Sequence, residues 1–147
     1  MNSIFLNDAA GPPAGEAPLV MVAEDNPDNR MIASTMLRHS GYRVIEATTG
    51  AEAMRLARLE KPVLILMDVG MPDIDGWTAT RTLKSDPETQ HIIILAFTAH
   101  ALPADREHAL RAGCDGYLAK PVAPLRLVRE VQLALSAATS RAATPAD

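Results

Sequence analysis

A doubly wound α/β sandwich on a five-stranded parallel sheet is the fold class this sequence predicts, and three observations predict it. Short apolar runs alternate with helical stretches at a spacing of roughly 20–25 residues, the signature of repeated strand–helix units. One of those runs, "VLILM" (Val63 to Met67), is apolar without interruption, as a strand covered on both faces must be. The chain is 48% apolar yet only 3% aromatic, so its core is aliphatic, and its 147 residues suffice for one domain.

Each element has a local reason. "LVMVA" (Leu19 to Ala23) is the first strand. The helix after it starts near Pro27 and stops before Gly41, a residue suited to the left-handed cap. "YRVIEA" (Tyr42 to Ala47) is strand two. "GAEAMRLARLE" is helix two, with Ala53, Met54 and Ala57 at helical spacing and Pro62 as its stop. Strand three is Val63 to Met67, and helix three runs from about Gly76 to Ser85. "IIILAF" (Ile92 to Phe97) is strand four. Helix four follows Pro103, a good first-turn residue, and closes at Gly113. "GYLA" (Gly116 to Ala119) is a short strand five. Helix five follows Pro124, with Val128, Val131 and Leu135 on one face.

Outside this pattern, residues 1–17 read as a flexible leader rich in Ala, Gly and Pro, and 139–147 as a flexible tail after a fraying helix end. The domain is expected over 18–138, with no output domain after it. A net charge of -4 without a block of like charge lacks the basic footprint of a nucleic-acid binder. Cys114 is the only cysteine, which rules out an intrachain disulfide and a cysteine zinc cluster. It is read as a small buried hydrophobe. "IFL" is too short for a signal peptide, and no apolar stretch approaches a membrane span. The expectation is a cytoplasmic protein with no membrane partner.

In doubly wound sheets, ligands bind outside the carboxyl ends of the strands. Strand one ends in Glu24 and Asp25, strand three in Asp68, strand four in Thr98 and strand five in Lys120. The strands themselves are almost free of such groups, so the placement is selective. Three carboxylates brought together repel unless a cation neutralises them. Hard oxygen ligands with open positions left over suit Mg²⁺. Lys120 and Thr98 add a cation and a hydroxyl, the groups needed around phosphoryl oxygens. An aspartate in that company can act as a nucleophile and become an acyl phosphate.

The segments "VAEDNPDN", "LILMDVGMPDIDGW", "IIILAFTAHA" and "GCDGYLAKPV" resemble the receiver domain of two-component response regulators. The resemblance covers about Leu19 to Leu135. It is closest to stand-alone single-domain regulators of the DivK-like and CheY-like kind and to receivers of hybrid histidine kinases. It implies a flavodoxin-like (βα)5 fold with strand order 2-1-3-4-5. It implies that Asp68 accepts phosphate from a phosphohistidine on a histidine kinase or histidine-phosphotransfer protein. It further implies Mg²⁺, or Mn²⁺ in its place, held by Asp25, Asp68 and the backbone carbonyl of Gly70, with Glu24 reaching the ion through water. Lys120 would pair with the phosphoryl oxygens and Thr98 hydrogen-bond to one of them. Tyr117 would swing inward when Thr98 moves. A cis peptide between Lys120 and Pro121 is also implied. The chain is then no enzyme beyond self-phosphotransfer and slow autodephosphorylation, and it signals through a downstream protein target or by passing phosphate onward.

Two positions depart from the family pattern. Gly70 has no side chain to touch the phosphoryl group or attacking water, and His100 stands two after Thr98. Both bear on phosphate lifetime. A different class of reading is a Mg²⁺-dependent aspartyl-nucleophile phosphatase, suggested by "DIDGWT" (Asp73 to Thr78). That motif should follow a buried strand directly, but Asp73 comes too late, and at Asp68 the residue two further on is Gly70 rather than an acid. Asp73 and Asp75 are therefore read as stabilising the turn and helix entry. Each site residue also has an ordinary reading alone: Asp68 as a turn former, Glu24 and Asp25 as helix caps, Lys120 as solvated, Thr98 as a strand end, Tyr117 as packing. A receiver cut from a hybrid kinase is the other alternative.

Overall fold

The computed structural model describes residues 17–99, 103–120 and 122–143. Most of the expected leader, residues 144–147 of the tail, His100 and Pro121 lie outside the described residues, and with them the expected Lys120–Pro121 peptide geometry. The strands are β1 (Leu19–Ala23), β2 (Arg43–Ala47), β3 (Leu64–Asp68), β4 (Ile93–Thr98) and β5 (Gly116–Ala119). The helices are α1 (Pro27–His39), α2 (Gly50–Glu60), α3 (Gly76–Ser85), α4 (Pro103–Ala112) and α5 (Pro124–Ala143). All pairings are parallel, and the order across the sheet is β2-β1-β3-β4-β5. This is the flavodoxin-like 2-1-3-4-5 arrangement, with its switch point between β1 and β3.

Side-chain alternation along the strands builds two cores. Met21, Ala23, Ile65, Met67, Ile94 and Ala96 face α2, α3 and α4, whose small residues Ala53, Ala57, Ala79 and Ala109 let them approach closely. Val20, Val22, Leu64, Leu66, Leu95 and Phe97 face Leu37 of α1 and Leu127, Val128 and Val131 of α5. All five residues of β3 are buried, as the unbroken apolar run requires. Cys114 is buried in the first core. Burial pushes its thiol up to about 11, which leaves little thiolate at neutral pH and makes it a packing residue.

The ladder and the apolar runs are offset by a residue. β3 extends to Asp68 and β4 to Thr98, because backbone pairing continues through polar residues: Asp68 lies opposite Phe97 and Thr98 opposite Ala119. At the other end, Val63 and Ile92 precede their strands, and Tyr42 lies in the connection between α1 and β2, its N–H donating back to the Leu37 carbonyl at 3.1 Å. α5 continues to Ala143, past the expected domain end at 138, because "SAATSRAA" is rich in alanine, the best helix former. Gly41 closes α1 with φ 100°, in the left-handed region that favours glycine.

The segment after Asp68 is anchored twice. Asp75 is the N-cap of α3, accepting from the Thr78 N–H at 2.8 Å, as expected for a helix entry. Asp73 does something else. Its two oxygens accept from the N–H groups of Gly50 (2.8 Å) and Ala51 (3.0 Å), so it caps α2 rather than its own turn. The N–H bonds from Ala51 and Gly50 hold its carboxyl below the usual carboxylate range. A lowered folded pKa stabilises above the unfolded value and loses that contribution as pH falls through the folded one. Asp73→Asn should therefore lower the melting temperature at pH 7, and the gap to the parent should close as both are acidified below the usual carboxylate range. A gap that does not change with pH would show that the charge of Asp73 contributes nothing.

Candidate functional site

Parallel winding places the carboxyl ends of β1, β3, β4 and β5 along one edge, and five of the expected residues meet there. The carboxylates of Glu24, Asp25 and Asp68 lie within 4.8 Å of one another. Glu24 is 1% exposed and Asp68 6%, while Asp25 is exposed. Lys120 Nζ lies 2.6 Å from Glu24 Oε1 and 3.6 Å from Asp68 Oδ1. Thr98, 1% exposed, sits beside it, since the Lys120 N–H donates to the Thr98 carbonyl at 2.7 Å. The Gly70 N–H donates to Asp68 Oδ1 at 3.1 Å.

Burial of Glu24 is the unusual feature, since a carboxylate out of water is costly unless paired. Burial pushes its carboxyl above the usual range; Lys120 opposes that, the Asp68 charge adds to it, and the Asn26 N–H, donating to Oε2 at 3.1 Å, opposes it. Oε1 thus has the Lys120 ammonium as its ion-pair partner, and Oε2 the Asn26 N–H. Three carboxylates against one ammonium leave negative charge over at the end of a buried strand pair. A hard divalent cation fits this donor set: oxygen-only ligands, more carboxylates than the one ammonium balances, and one carboxylate open to water.

Tyr117 lies opposite Ala96 in the sheet, two residue pairs in from the Thr98–Ala119 pair. Its ring is half-buried against the α2–α3–α4 core, with the Arg106 guanidinium 5.9 Å from the ring centre. Gly70 has ordinary backbone angles, and a Cβ built there would meet only Asp68 Oδ1, at 3.8 Å. The chain tolerates a side chain at that position; its absence leaves open space beside Asp68 Oδ1. Lys120 and Asn29, Ile32, Phe97, Val122 and Leu127 line an apolar hollow of about 340 Å³ next to the site, between α1 and α5.

Three residues that the sequence does not single out, Asn26, Arg30 and His108, tie neighbouring segments together. Asn26, not Glu24 or Asp25, caps α1, accepting from the Asn29 N–H at 2.9 Å. Arg30 Nη1 donates to the backbone carbonyls of Glu24 (3.0 Å) and Asp25 (3.3 Å). Trp77 of α3 stacks on His108 of α4, ring centres 4.9 Å apart. Asn26 was findable as an Asn before a Pro at a helix start. Arg30 and His108 were not, since side-chain reach across a turn or between helices leaves no periodic trace.

Comparison with known proteins agrees with this geometry. The family model described as the response regulator receiver domain matches residues 20–132. The polar-differentiation response regulator DivK of Brucella anthropi is 38% identical over 113 residues, which is 77% of this chain and 92% of that protein. DivK of Brucella melitensis gives the same identity and coverage. Among solved structures, the receiver domain of a Pseudomonas aeruginosa sensor histidine kinase, with a magnesium ion coordinated in its active-site cleft, is 38% identical. It superposes with a TM-score of 0.76 over 82% of this chain and 98% of that one. A CheY-like receiver from Methanospirillum hungatei shares the fold, with a TM-score of 0.80 over 86% of this chain and 99% of that one, at 22% identity. No helix among the described residues is long and apolar enough to cross a membrane.

Proposed function

This chain belongs to the response regulator receiver domain family, and from that premise we propose that it is a DivK-like phosphorylation switch whose acceptor is Asp68. The observation that carries the reading is the buried acid cluster capped by Lys120 at the end of β3. Asp25, Asp68 and the carbonyl of Gly70 would hold Mg²⁺, with Glu24 behind a water. The ion supplies charge neutralisation for the carboxylates and the incoming phosphoryl group.

The remaining chemistry belongs to the chain's own groups. An Asp68 oxygen attacks the phosphorus of a phosphohistidine; the P–O bond forms as the P–N bond breaks, and the imidazole leaves with the bonding pair. Lys120 balances the charge on the phosphoryl oxygens, taking with the phosphate the role it now plays toward Glu24 and Asp68. Thr98 supplies a hydroxyl at the same edge. A phosphohistidine must reach this edge on a protein surface, and α1 offers one: Met31 and Ile32 are exposed beside the apolar hollow. A histidine kinase or histidine-phosphotransfer protein is the partner that chemistry requires, in the cytoplasm, with a protein target downstream.

The test is to incubate the full chain with acetyl phosphate and Mg²⁺. One acid-stable, base-labile phosphoryl group per chain is expected by intact mass. Under the same conditions p-nitrophenyl phosphate should not turn over above background. Sustained hydrolysis of the ester would favour the aspartyl phosphatase reading, and no label at all would remove the receiver reading.

A further inference from the structure

We propose that Arg30 is a positioning residue for the metal site: it fixes the backbone of the two acidic residues at the end of β1 so that their carboxylates converge on Asp68. The inference rests on the receiver reading of the acid cluster. Residues 24–26 make the sharp connection from β1 into α1, and they carry both β1 carboxylates. The Glu24 N–H is held by the Ala47 carbonyl at 2.9 Å, continuing the ladder to β2. Beyond that point β1 ends, and the carbonyls of Glu24 and Asp25 are met by a side chain. Arg30, at the end of the first turn of α1, reaches back and donates from Nη1 to both, at 3.0 and 3.3 Å. Its Nε lies 3.8 Å from Glu46 Oε1 on β2, so the guanidinium spans the connection and the edge strand at once.

The arrangement matters because Asp25 is otherwise loosely held. It is exposed, and no side-chain hydrogen bond of Asp25 is seen among the described residues, whereas Glu24 and Asp68 are buried and tied to N–H groups. The position of the Asp25 carboxylate is set by its backbone, and the backbone carbonyl is what Arg30 grips. Groups that orient metal ligands from behind commonly govern affinity nearly as strongly as the ligands do.

Charge and positioning make opposite predictions here, which gives the test its force. Arg30 is a cation beside a cation site. If it acted only through its charge, removing it would tighten Mg²⁺ binding, since like charges repel. If it positions the loop, removing it weakens binding. The experiment is calorimetric titration of the full chain with MgCl₂ for the parent, Arg30→Ala, Arg30→Gln, Arg38→Ala and Asp25→Ala. Arg38 is the control cation on the same helix; its Nη2 donates to the Val44 carbonyl at 3.5 Å, away from the connection.

Arg30→Ala and Arg30→Gln should each weaken Mg²⁺ affinity by about tenfold, the lower end for second-layer partners of a metal ligand. Arg38→Ala should match the parent. Amide exchange of Asn26 in the metal-free protein should speed up in the Arg30 variants alone, because its N–H bond to Glu24 depends on the held turn. If Arg30→Ala does not fold, Arg30→Gln carries the same test. Parental or tighter Mg²⁺ binding in a folded Arg30 variant, with Asp25→Ala still defective, overturns the positioning role and leaves the metal site standing. Parental binding in Asp25→Ala overturns both.

Discussion

Asp68→Asn is expected to reduce labelling by acetyl phosphate to background while leaving the fold in place. The substitution is close to isosteric. The amide oxygen can still accept from the Gly70 N–H, the bond Asp68 Oδ1 now makes at 3.1 Å. What is lost is nucleophilicity, since an amide does not form an acyl phosphate under these conditions. Removing one carboxylate also removes like-charge repulsion. The Asp68 charge is one of the influences that hold the Glu24 carboxyl above its usual range, so Glu24 should titrate lower in the variant. The metal-free variant should therefore melt no lower than the metal-free parent, because the cluster trades a buried charge for a neutral group of the same shape. Intact mass after acetyl phosphate treatment and side-by-side melts without Mg²⁺ check both parts. A fully labelled Asn variant would assign the acceptor elsewhere, and Asp25 would be the next candidate.

Much of this site could be read before any coordinates, for a physical reason. A parallel sheet collects the carboxyl ends of its strands on one edge, so strand order and apolar runs alone bring Glu24, Asp25, Asp68, Thr98 and Lys120 together. Period and run length also place every element to within a few residues, the carboxyl end of α5 excepted. What stayed hidden depends on side-chain reach. Asp73 looked local, yet it caps α2, 22 and 23 residues back in the chain. Nothing in the sequence marks Lys84, yet its ammonium donates to Asp115 at 2.8 Å and to the Ile92 carbonyl at 2.7 Å, fastening α3 to the start of β4. The extra turns of α5 were missed because small residues carry no hydrophobic stripe, although they favour helix strongly. Gly70 shows the converse. The resemblance marks it as a departure from the family pattern, but only the open space around it shows that the backbone does not demand a glycine there.

Thr98→Ala should still allow Asp68 to be phosphorylated yet largely disconnect that event from Tyr117. Thr98 is the last residue of β4, buried, with its carbonyl accepting from the Lys120 N–H at 2.7 Å. Alanine keeps that backbone link, so Lys120 stays in place and the acceptor chemistry survives. The hydroxyl is what the substitution removes. A phosphoryl group adds about two negative charges at this edge, and a hydroxyl bond to a charged acceptor is worth about 1.5–3 kcal/mol. That bond exists only when the phosphoryl group is present. It is therefore the kind of differential contact by which a modification shifts a conformational equilibrium. Its loss should cut the population shift by about 10- to 150-fold. Tyr117 is placed to report the shift, since its ring is half-buried, two residue pairs in from Thr98 along the sheet, and rests against the Arg106 guanidinium. The measurement uses beryllofluoride, which stands in for the phosphoryl group on Asp68, with the Gly70 amide and Tyr117 ring resonances followed together. In the parent both should move. In Thr98→Ala the Gly70 amide should still move, because it bonds the acceptor oxygen, while the Tyr117 ring should stay near its resting position. A full parental response of Tyr117 in the alanine variant would mean that the signal leaves the acceptor by another route, and the coupling role of Thr98 would be withdrawn.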